Sequence, residues 1–247
     1  MTDSHAHLDA CEEPSAVIGR AAAAGVSRIV TIGTGIDSCG AALALAEMNE
    51  GVYAALGIDP HQAATPEAGR IDELRELLAH PKAVALGETG LDNVKHYATP
   101  AEQRTLFDAQ LALAHELGLP VVVHSRDAAV DTAAALEGFD GNVILHCFSS
   151  PDLLPAALER GYYVSFAGNA TYPKAGDLRE AARAIPRNLI LVETDSPYLS
   201  PQPVRGRRNE PAHVVYTIGA LADVRDEAPS QLAAGTHENA AAAFRLT

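Results

Sequence analysis

The sequence predicts a single (β/α)8 barrel of the TIM type, an α/β fold in which eight parallel strands alternate with helices. Short β-branched segments alternate with helical patterns eight times within 247 residues, a typical size for such a barrel. Val121–Val123 and Leu189–Val192 are continuous apolar runs, as expected for parallel strands buried on both faces. No linker-like tract interrupts the chain, so we expect residues 1–247 to form one domain.

Eight segments are strand candidates. In chain order they are Thr2–His7, Arg28–Ile32, Val52–Gly57, Ala83–Glu88, Pro120–His124, Asn142–His146, Tyr162–Phe166 and Leu189–Glu193. Helical patterns lie between them, most clearly within residues 71–78, 106–113, 152–160 and 178–184. A doubly wound open sheet is the rival fold, but it would normally need fewer strands. Because no G-x-G-x-x-G or P-loop motif occurs, we expect no nucleotide cofactor.

Composition narrows the classes of function. The net charge of −14 disfavours broad electrostatic binding to nucleic acid or to anionic membranes, although it leaves room for a local cationic site built from metal ions. Three cysteines without a CxxC motif argue against a disulfide scaffold and a Cys-rich zinc module. The first residues lack the features of a signal peptide and no apolar run is long enough to span a membrane, so we expect a cytoplasmic protein. We also expect it to be a monomer.

Metal-ligand side chains recur where predicted strands end. They are His5, His7, Glu88, His124, His146 and Asp195. In a barrel the carboxyl ends of the strands converge on one face, where active sites lie. Any one of these residues alone has a more ordinary explanation, such as a buried hydrogen-bonded histidine or a helix-capping acid. Together they predict a binuclear metal site at the C-terminal face of the strands.

The spacing of these residues indicates how two ions would be shared. His5 and His7 are two residues apart on one strand, so both side chains point to the same face. A carboxylate can bind one ion through each oxygen, and Lys82 lies at the wrong end of its strand to form a carbamylated bridge. This favours Glu88 as the bridging ligand. His124 and His146 end neighbouring strands and suit the second ion.

Several further residues are candidates for catalysis or substrate binding. A carboxylate such as Asp195 can both ligate a metal and take a proton from water. Arg205 and Arg207 lie in a basic segment after the last strand, where guanidinium groups could bind phosphate, although a solvated loop explains Arg205 equally well. Arg126 and His61 follow other strands and could contact substrate at the same rim.

Seven motifs together resemble one family, the TatD-type metal-dependent deoxyribonucleases of the amidohydrolase superfamily. They are DSHAHLD (3–9), GETGLD (87–92), LPVVVHSRDA (119–128), LHCFSS (145–150), GYYVSFAG (161–168), ETDSPYL (193–199) and RGRRNEP (205–211). The resemblance covers most of the chain, and ETDSPYL with RNEP is highly specific. The sequence departs from the family pattern at Asp59, Thr89 and Asn93. Of these residues, Asp59 and Asn93 would border the pocket.

The resemblance implies a TIM barrel with two divalent metal ions. His5 and His7 would bind the first ion with Asp195, His124 and His146 would bind the second, and Glu88 would bridge them. Four imidazoles and two carboxylates suit Zn, Mn, Ni or Co better than Mg, whereas the family is usually described as Mg-dependent, so the metal stays open.

The activity implied is a deoxyribonuclease that hydrolyses phosphodiester bonds, with 3′-5′ exonuclease action on single-stranded DNA or 3′ ends. The alternatives are a two-metal hydrolase of a small ester, lactone or amide on the same barrel, and a non-catalytic barrel that binds partners.

Overall fold

The strands form a closed parallel barrel. The computed structural model describes residues 1–246, in which the eight strands are hydrogen-bonded in chain order. They are β1 (Thr2–Ala6), β2 (Arg28–Thr34), β3 (Val52–Gly57), β4 (Ala83–Asp92), β5 (Val121–Arg126), β6 (Val143–Leu145), β7 (Tyr163–Phe166) and β8 (Ile190–Val192). The segment after β8 pairs with β1: the His7 amide donates to the Ser196 carbonyl at 2.7 Å, and the Asp195 amide donates to the His5 carbonyl at 2.9 Å.

A helix follows every strand and packs on the outside of the barrel. These helices are α1 (Pro14–Ala23), α2 (Ile36–Met48), α3 (Ile71–Leu78), α4 (Pro100–Leu117), α5 (Ala129–Ala135), α6 (Leu154–Arg160), α7 (Gly176–Ala184) and α8 (Val214–Val224). The start of α4 shows the local chemistry that sets a boundary. Thr99 and Glu102 form a capping box there, and Gly118 ends the helix in the left-handed conformation.

A further helix, α9 (Pro229–Ala243), closes the amino-terminal end of the barrel. Ala240, Ala243 and Phe244 pack into a cluster with inward-facing strand residues, namely Val30, Ile32, Ala55, Ala85, Val122, Ile144 and Leu191. Asn142 fixes this end by donating from its side-chain amide to the Ala243 carbonyl at 3.0 Å. Because the apolar core fills this half of the barrel, the polar site is confined to the opposite, carboxyl end.

The structure confirms the predicted barrel and adjusts its strand ends. β4 continues four residues past Glu88, as far as Asp92, whereas β6 and β8 end before His146 and Asp195. These two residues therefore lie on the first turns beyond the strands. Asp195 has a positive φ of 54°. Within residues 1–246, no helix is long and apolar enough to cross a membrane.

The apolar closure of the barrel predicts a specific loss of stability. Phe244 is 1% exposed, so Phe244→Ala would leave a cavity beneath the strands and lower the free energy of unfolding by about 3–5 kcal/mol. Urea denaturation followed by circular dichroism measures this change. Val130→Ala, at a position that is 80% exposed, is the control and should change the free energy by less than about 0.5 kcal/mol. Equal stabilities for the two variants would contradict the role given to α9.

Candidate metal centre

The site lies in a cleft at the carboxyl ends of the strands. A cavity of about 690 Å³ opens there, within the range of roughly 300–1,000 Å³ that is usual for ligand sites. Five of the six predicted metal-ligand side chains line it, namely His7, Glu88, His124, His146 and Asp195. The sixth, His5, is fully buried directly beneath them. The structure thus brings all six residues together.

The first group of candidate ligands surrounds one oxygen of Glu88. Its Oε2 lies 3.6 Å from His5 Nε2 and 3.8 Å from His7 Nε2. Oδ1 of Asp195 lies 3.7 Å and 3.4 Å from the same two nitrogens. The two imidazole nitrogens are 3.3 Å apart. Two histidines and two carboxylates therefore point their donor atoms at one small volume.

The second group surrounds the other oxygen of Glu88. Its Oε1 lies 2.9 Å from His124 Nδ1 and 3.0 Å from His146 Nε2, and these two nitrogens are 3.1 Å apart. The carboxylate of Glu88 thus divides its oxygens between two pairs of histidines. This is the arrangement that the bridging hypothesis requires.

The residues fit divalent metal ions in chemistry and spacing. Ligand atoms about 2.0–2.2 Å from a tetrahedral ion lie roughly 3.3–3.6 Å apart. The nitrogen–oxygen distances of 3.4–3.8 Å in the first group are close to this spacing. The second group is slightly tighter, at hydrogen-bonding distances. Imidazole nitrogens with shared carboxylates suit borderline transition metals, so each group could hold an ion.

The carboxylates keep a negative charge in this buried site. Burial raises the pKa of Glu88, but attraction to His146 and hydrogen bonding from His124 outweigh it and hold that pKa well below its usual value. Burial also opposes ionisation of Asp195, yet hydrogen bonding from His7 keeps its pKa lowered. At neutral pH both carboxylates are therefore ionised and attract positive charge.

The histidines respond to these carboxylates in two ways. Burial lowers the pKa of His7, His124 and His146, but their carboxylate neighbours outweigh it and raise the pKa of each ring. His5 is different because burial and the neighbouring His146 leave its pKa lowered. His5 is thus neutral at neutral pH, which is the form in which an imidazole binds a metal ion. At the other three rings, protons and metal ions would compete for the same carboxylate-rich site.

Residues outside the ligand groups hold the donors in place. Glu193 Oε1 accepts a hydrogen bond from the Cys147 amide at 2.8 Å and lies 3.4 Å from His146 Nδ1, so it supports the ring of His146. Asp3 accepts hydrogen bonds from the Thr194 amide and hydroxyl at 2.9 and 2.5 Å. The segment that carries Asp195 is thereby fixed to β1.

The glycines of GETGLD allow β4 to approach β5. Gly90 has a φ of +139°, and a Cβ added there would lie 2.0 Å from the His124 carbonyl oxygen. Gly90 is paired with His124 in the strand register. Only glycine tolerates this conformation and this proximity. The close approach sets Glu88 of β4 beside His124 of β5.

Sequence reasoning missed Asp92, which is fully buried at the end of β4. Its Oδ1 accepts hydrogen bonds from the Val94 and Lys95 amides, both at 2.8 Å. Its Oδ2 lies 3.3 Å from His124 Nε2 and 3.1 Å from His61 Nε2. Asp92 therefore orients His124 so that Nδ1 faces Glu88. The signal was present, since residues 88, 90 and 92 share one face of a strand.

The predicted substrate contacts lie at different distances from the cleft. His61 lines the cavity and pairs with Asp59 as well as Asp92. Arg126 also lines it, 3.9 Å from Asp92. Arg205 and Arg207 do not line it; the Arg205 guanidinium instead stacks on Tyr172 at 4.1 Å. Their contact with substrate stays a prediction.

A barrel with carboxylate and histidine ligands at the carboxyl ends of its strands is typical of metal-dependent hydrolases. The family model described as TatD related DNase matches residues 2–245. The chain therefore belongs to the TatD family of metal-dependent hydrolases.

Relatives cover almost the same length. An uncharacterised metal-dependent hydrolase TatD from Mycobacterium tuberculosis is 40% identical, with 100% of this chain and 98% of the relative covered. A protein named 3′-5′ ssDNA/RNA exonuclease TatD from Citrobacter koseri is 36% identical over 93% of this chain and 92% of its own. The crystal structure of YJJV, a TatD homologue from Escherichia coli K12, superposes with a TM-score of 0.93 at 30% identity, covering 100% of this chain and 98% of that one.

The environment of His61 predicts an unusual titration. Hydrogen bonding to Asp59 raises the pKa of His61 to about 9 against the opposing effect of burial, and Asp92 adds to the rise. Because the folded pKa exceeds the unfolded value of about 6.5, these contacts stabilise the fold fully below about pH 6.5. Their contribution disappears as the pH rises through about 9. NMR titration of the metal-free protein should give this pKa, and Asp59→Asn should lower it.

The matched control is Asp140→Asn. Asp140 pairs with a different histidine, His115, at 3.0 Å on the surface, so this variant should leave the pKa of His61 unchanged. A wild-type His61 that titrates near pH 6.5, or an Asp59→Asn variant with the same pKa as the wild type, would contradict the assigned network.

Proposed function

We propose that the protein holds two divalent cations and hydrolyses phosphodiester bonds of single-stranded DNA from 3′ ends. The position of Glu88 carries this proposal, because its two oxygens face two separate pairs of histidines. Paired ions bridged in this way are a recurrent device of nucleases and phosphatases, where they stabilise both the attacking and the leaving oxygen.

The donor groups suggest how the ions would be held. His5, His7 and Asp195 would hold the first ion, His124 and His146 the second, and Glu88 both. When bound, such ions polarise a phosphoryl oxygen and lower the pKa of water. The nitrogen-rich donor set favours Zn, Mn, Ni or Co, although Mg remains a candidate because carboxylates are also present.

Asp195 is the candidate base. Its carboxylate lines the cleft and stays ionised at neutral pH, so it is available to accept a proton from the attacking water. His7 lies 3.4 Å from Asp195 Oδ1 and fixes the orientation of the carboxylate. Glu88 cannot take this role while both of its oxygens are engaged with histidines.

The cleft also supports a phosphate-containing substrate. Lys95 and Arg126 line it and place two cationic side chains beside the ligand groups, in a chain whose net charge is −14. This local positive charge, increased by bound cations, answers the objection that an acidic protein repels DNA. The 3′-5′ direction rests on the name of the Citrobacter relative.

The test is digestion of a 5′-labelled single-stranded oligonucleotide. Metal-free protein should be inactive, and protein reloaded with Mn²⁺, Zn²⁺ or Mg²⁺ should produce a ladder that shortens from the 3′ end. Glu88→Gln should lower kcat/KM by at least about 100-fold, since it removes the charge shared by both ligand groups.

The matched control is Glu159→Gln, which changes an exposed glutamate in α6 and should leave the digest unchanged. Absence of cleavage by folded, metal-loaded protein would overturn the nuclease assignment. If the same sample hydrolysed a carboxylic ester, the rival small-ester hydrolase would replace it. Full activity of Glu88→Gln would overturn the bridging role.

A further inference from the structure

Two tyrosines that line the cleft are largely exposed. Tyr97 is 64% exposed and Tyr198 is 57% exposed, and both line the cavity. Tyr216 on α8 is also exposed, but it does not line the cavity. Neither ring in the cleft is part of the apolar core, so the exposed faces of both rings are available to a ligand.

Each of these tyrosines is packed against a histidine of the site. The Tyr198 ring lies edge-on to His7, with centroids 5.8 Å apart, and the Tyr97 ring lies edge-on to His61 at 5.5 Å. His7 belongs to the first ligand group. His61 lies beside His124 of the second group, with ring centroids 5.9 Å apart. The two tyrosines are thus associated with opposite oxygens of Glu88.

The rings form one continuous row of contacts, which passes beneath the cleft at the buried ring of His5. Consecutive ring centroids are no more than 5.9 Å apart, and the row runs in the order Tyr198, His7, His5, His146, His124, His61, Tyr97. The four histidines of the ligand groups occupy its middle, and a tyrosine ends it on each side. A phosphodiester bound at the middle would place its two flanking nucleotides towards the tyrosines.

The backbone holds both tyrosines in place. The Tyr198 amide donates to the Asp195 carbonyl at 2.9 Å, and its carbonyl accepts from the buried side chain of Asn209 at 2.6 Å. Tyr97 lies on a short segment fixed at both ends. Asp92 accepts from the Lys95 amide before it, and Gln103 donates to the Ala98 carbonyl after it, at 3.1 Å. Because the backbone beside each tyrosine is already fixed, binding a ligand would require little further ordering of these segments.

We propose that Tyr97 and Tyr198 are stacking platforms for the nucleobases on either side of the scissile phosphodiester. This inference rests on the proposed function and specifies how the substrate is recognised. Stacking on aromatic side chains tolerates any base, because every base has a π face, and it requires bases that are not paired in a duplex. The cleft is therefore selective for single strands.

The test compares a thymidine oligonucleotide with the same strand carrying abasic residues. Stacking of one base changes binding by about 5- to 150-fold. The wild-type kcat/KM should therefore be at least about 5-fold higher for the base-containing strand than for the abasic strand. Tyr97→Ala and Tyr198→Ala should each reduce this preference towards unity, chiefly through KM. Tyr97→Phe and Tyr198→Phe should retain it, because the ring suffices for stacking.

The ratio of kcat/KM for the two strands distinguishes a loss of base stacking from a general distortion of the site. A variant that merely distorts the site loses activity on both strands equally, which would overturn the inference. Tyr216→Ala is the matched control and should keep the wild-type ratio. Cleavage by the wild type with unaltered ratios in both alanine variants would overturn the stacking role alone. A wild type inactive on both strands would overturn the proposed function and the stacking role with it.

Discussion

The buried carboxylate of Glu88 is the constraint on which the rest of the site depends. It is 7% exposed, so its charge must be balanced by neighbours rather than by water. Histidines from three other strand ends provide that balance by surrounding both of its oxygens. The barrel makes this possible because it brings the ends of β1, β4, β5 and β6 to one face while the apolar core and α9 occupy the other.

The shape of β4 follows from this constraint. Gly90 lets the strand approach β5, which keeps Glu88 at contact distance from His124. The extra residues of β4 carry Asp92 to the same face of the strand, two positions beyond Gly90, where it contacts the other ring nitrogen of His124. One strand therefore supplies both the central carboxylate and the residue that orients one of its partners. Asp92 also fixes His61, which links the ligand groups to the rim of the cleft.

Much of the fold and of the site was predictable, because the local sequence patterns and the topology of the barrel lead to the same arrangement of residues. Apolar runs ending in His124 or His146 predict both a buried strand and a polar residue at its carboxyl end, and the structure places these residues together. Asp92 was missed because its predicted strand stopped at Glu88. The position of Arg205 could not be predicted, since its stacking on Tyr172 depends on tertiary packing. The row of rings likewise joins residues that are distant in the sequence.

The central claim is that Glu88 divides its oxygens between two ions. Anomalous diffraction from crystals loaded with Mn²⁺ or Zn²⁺ tests it most directly. The account predicts two peaks about 3.5–4 Å apart, one beside each oxygen of Glu88. His61, Asp92 and His124 form a competing group of possible ligands. A single peak, or a peak at that group with one side of Glu88 empty, would contradict the account.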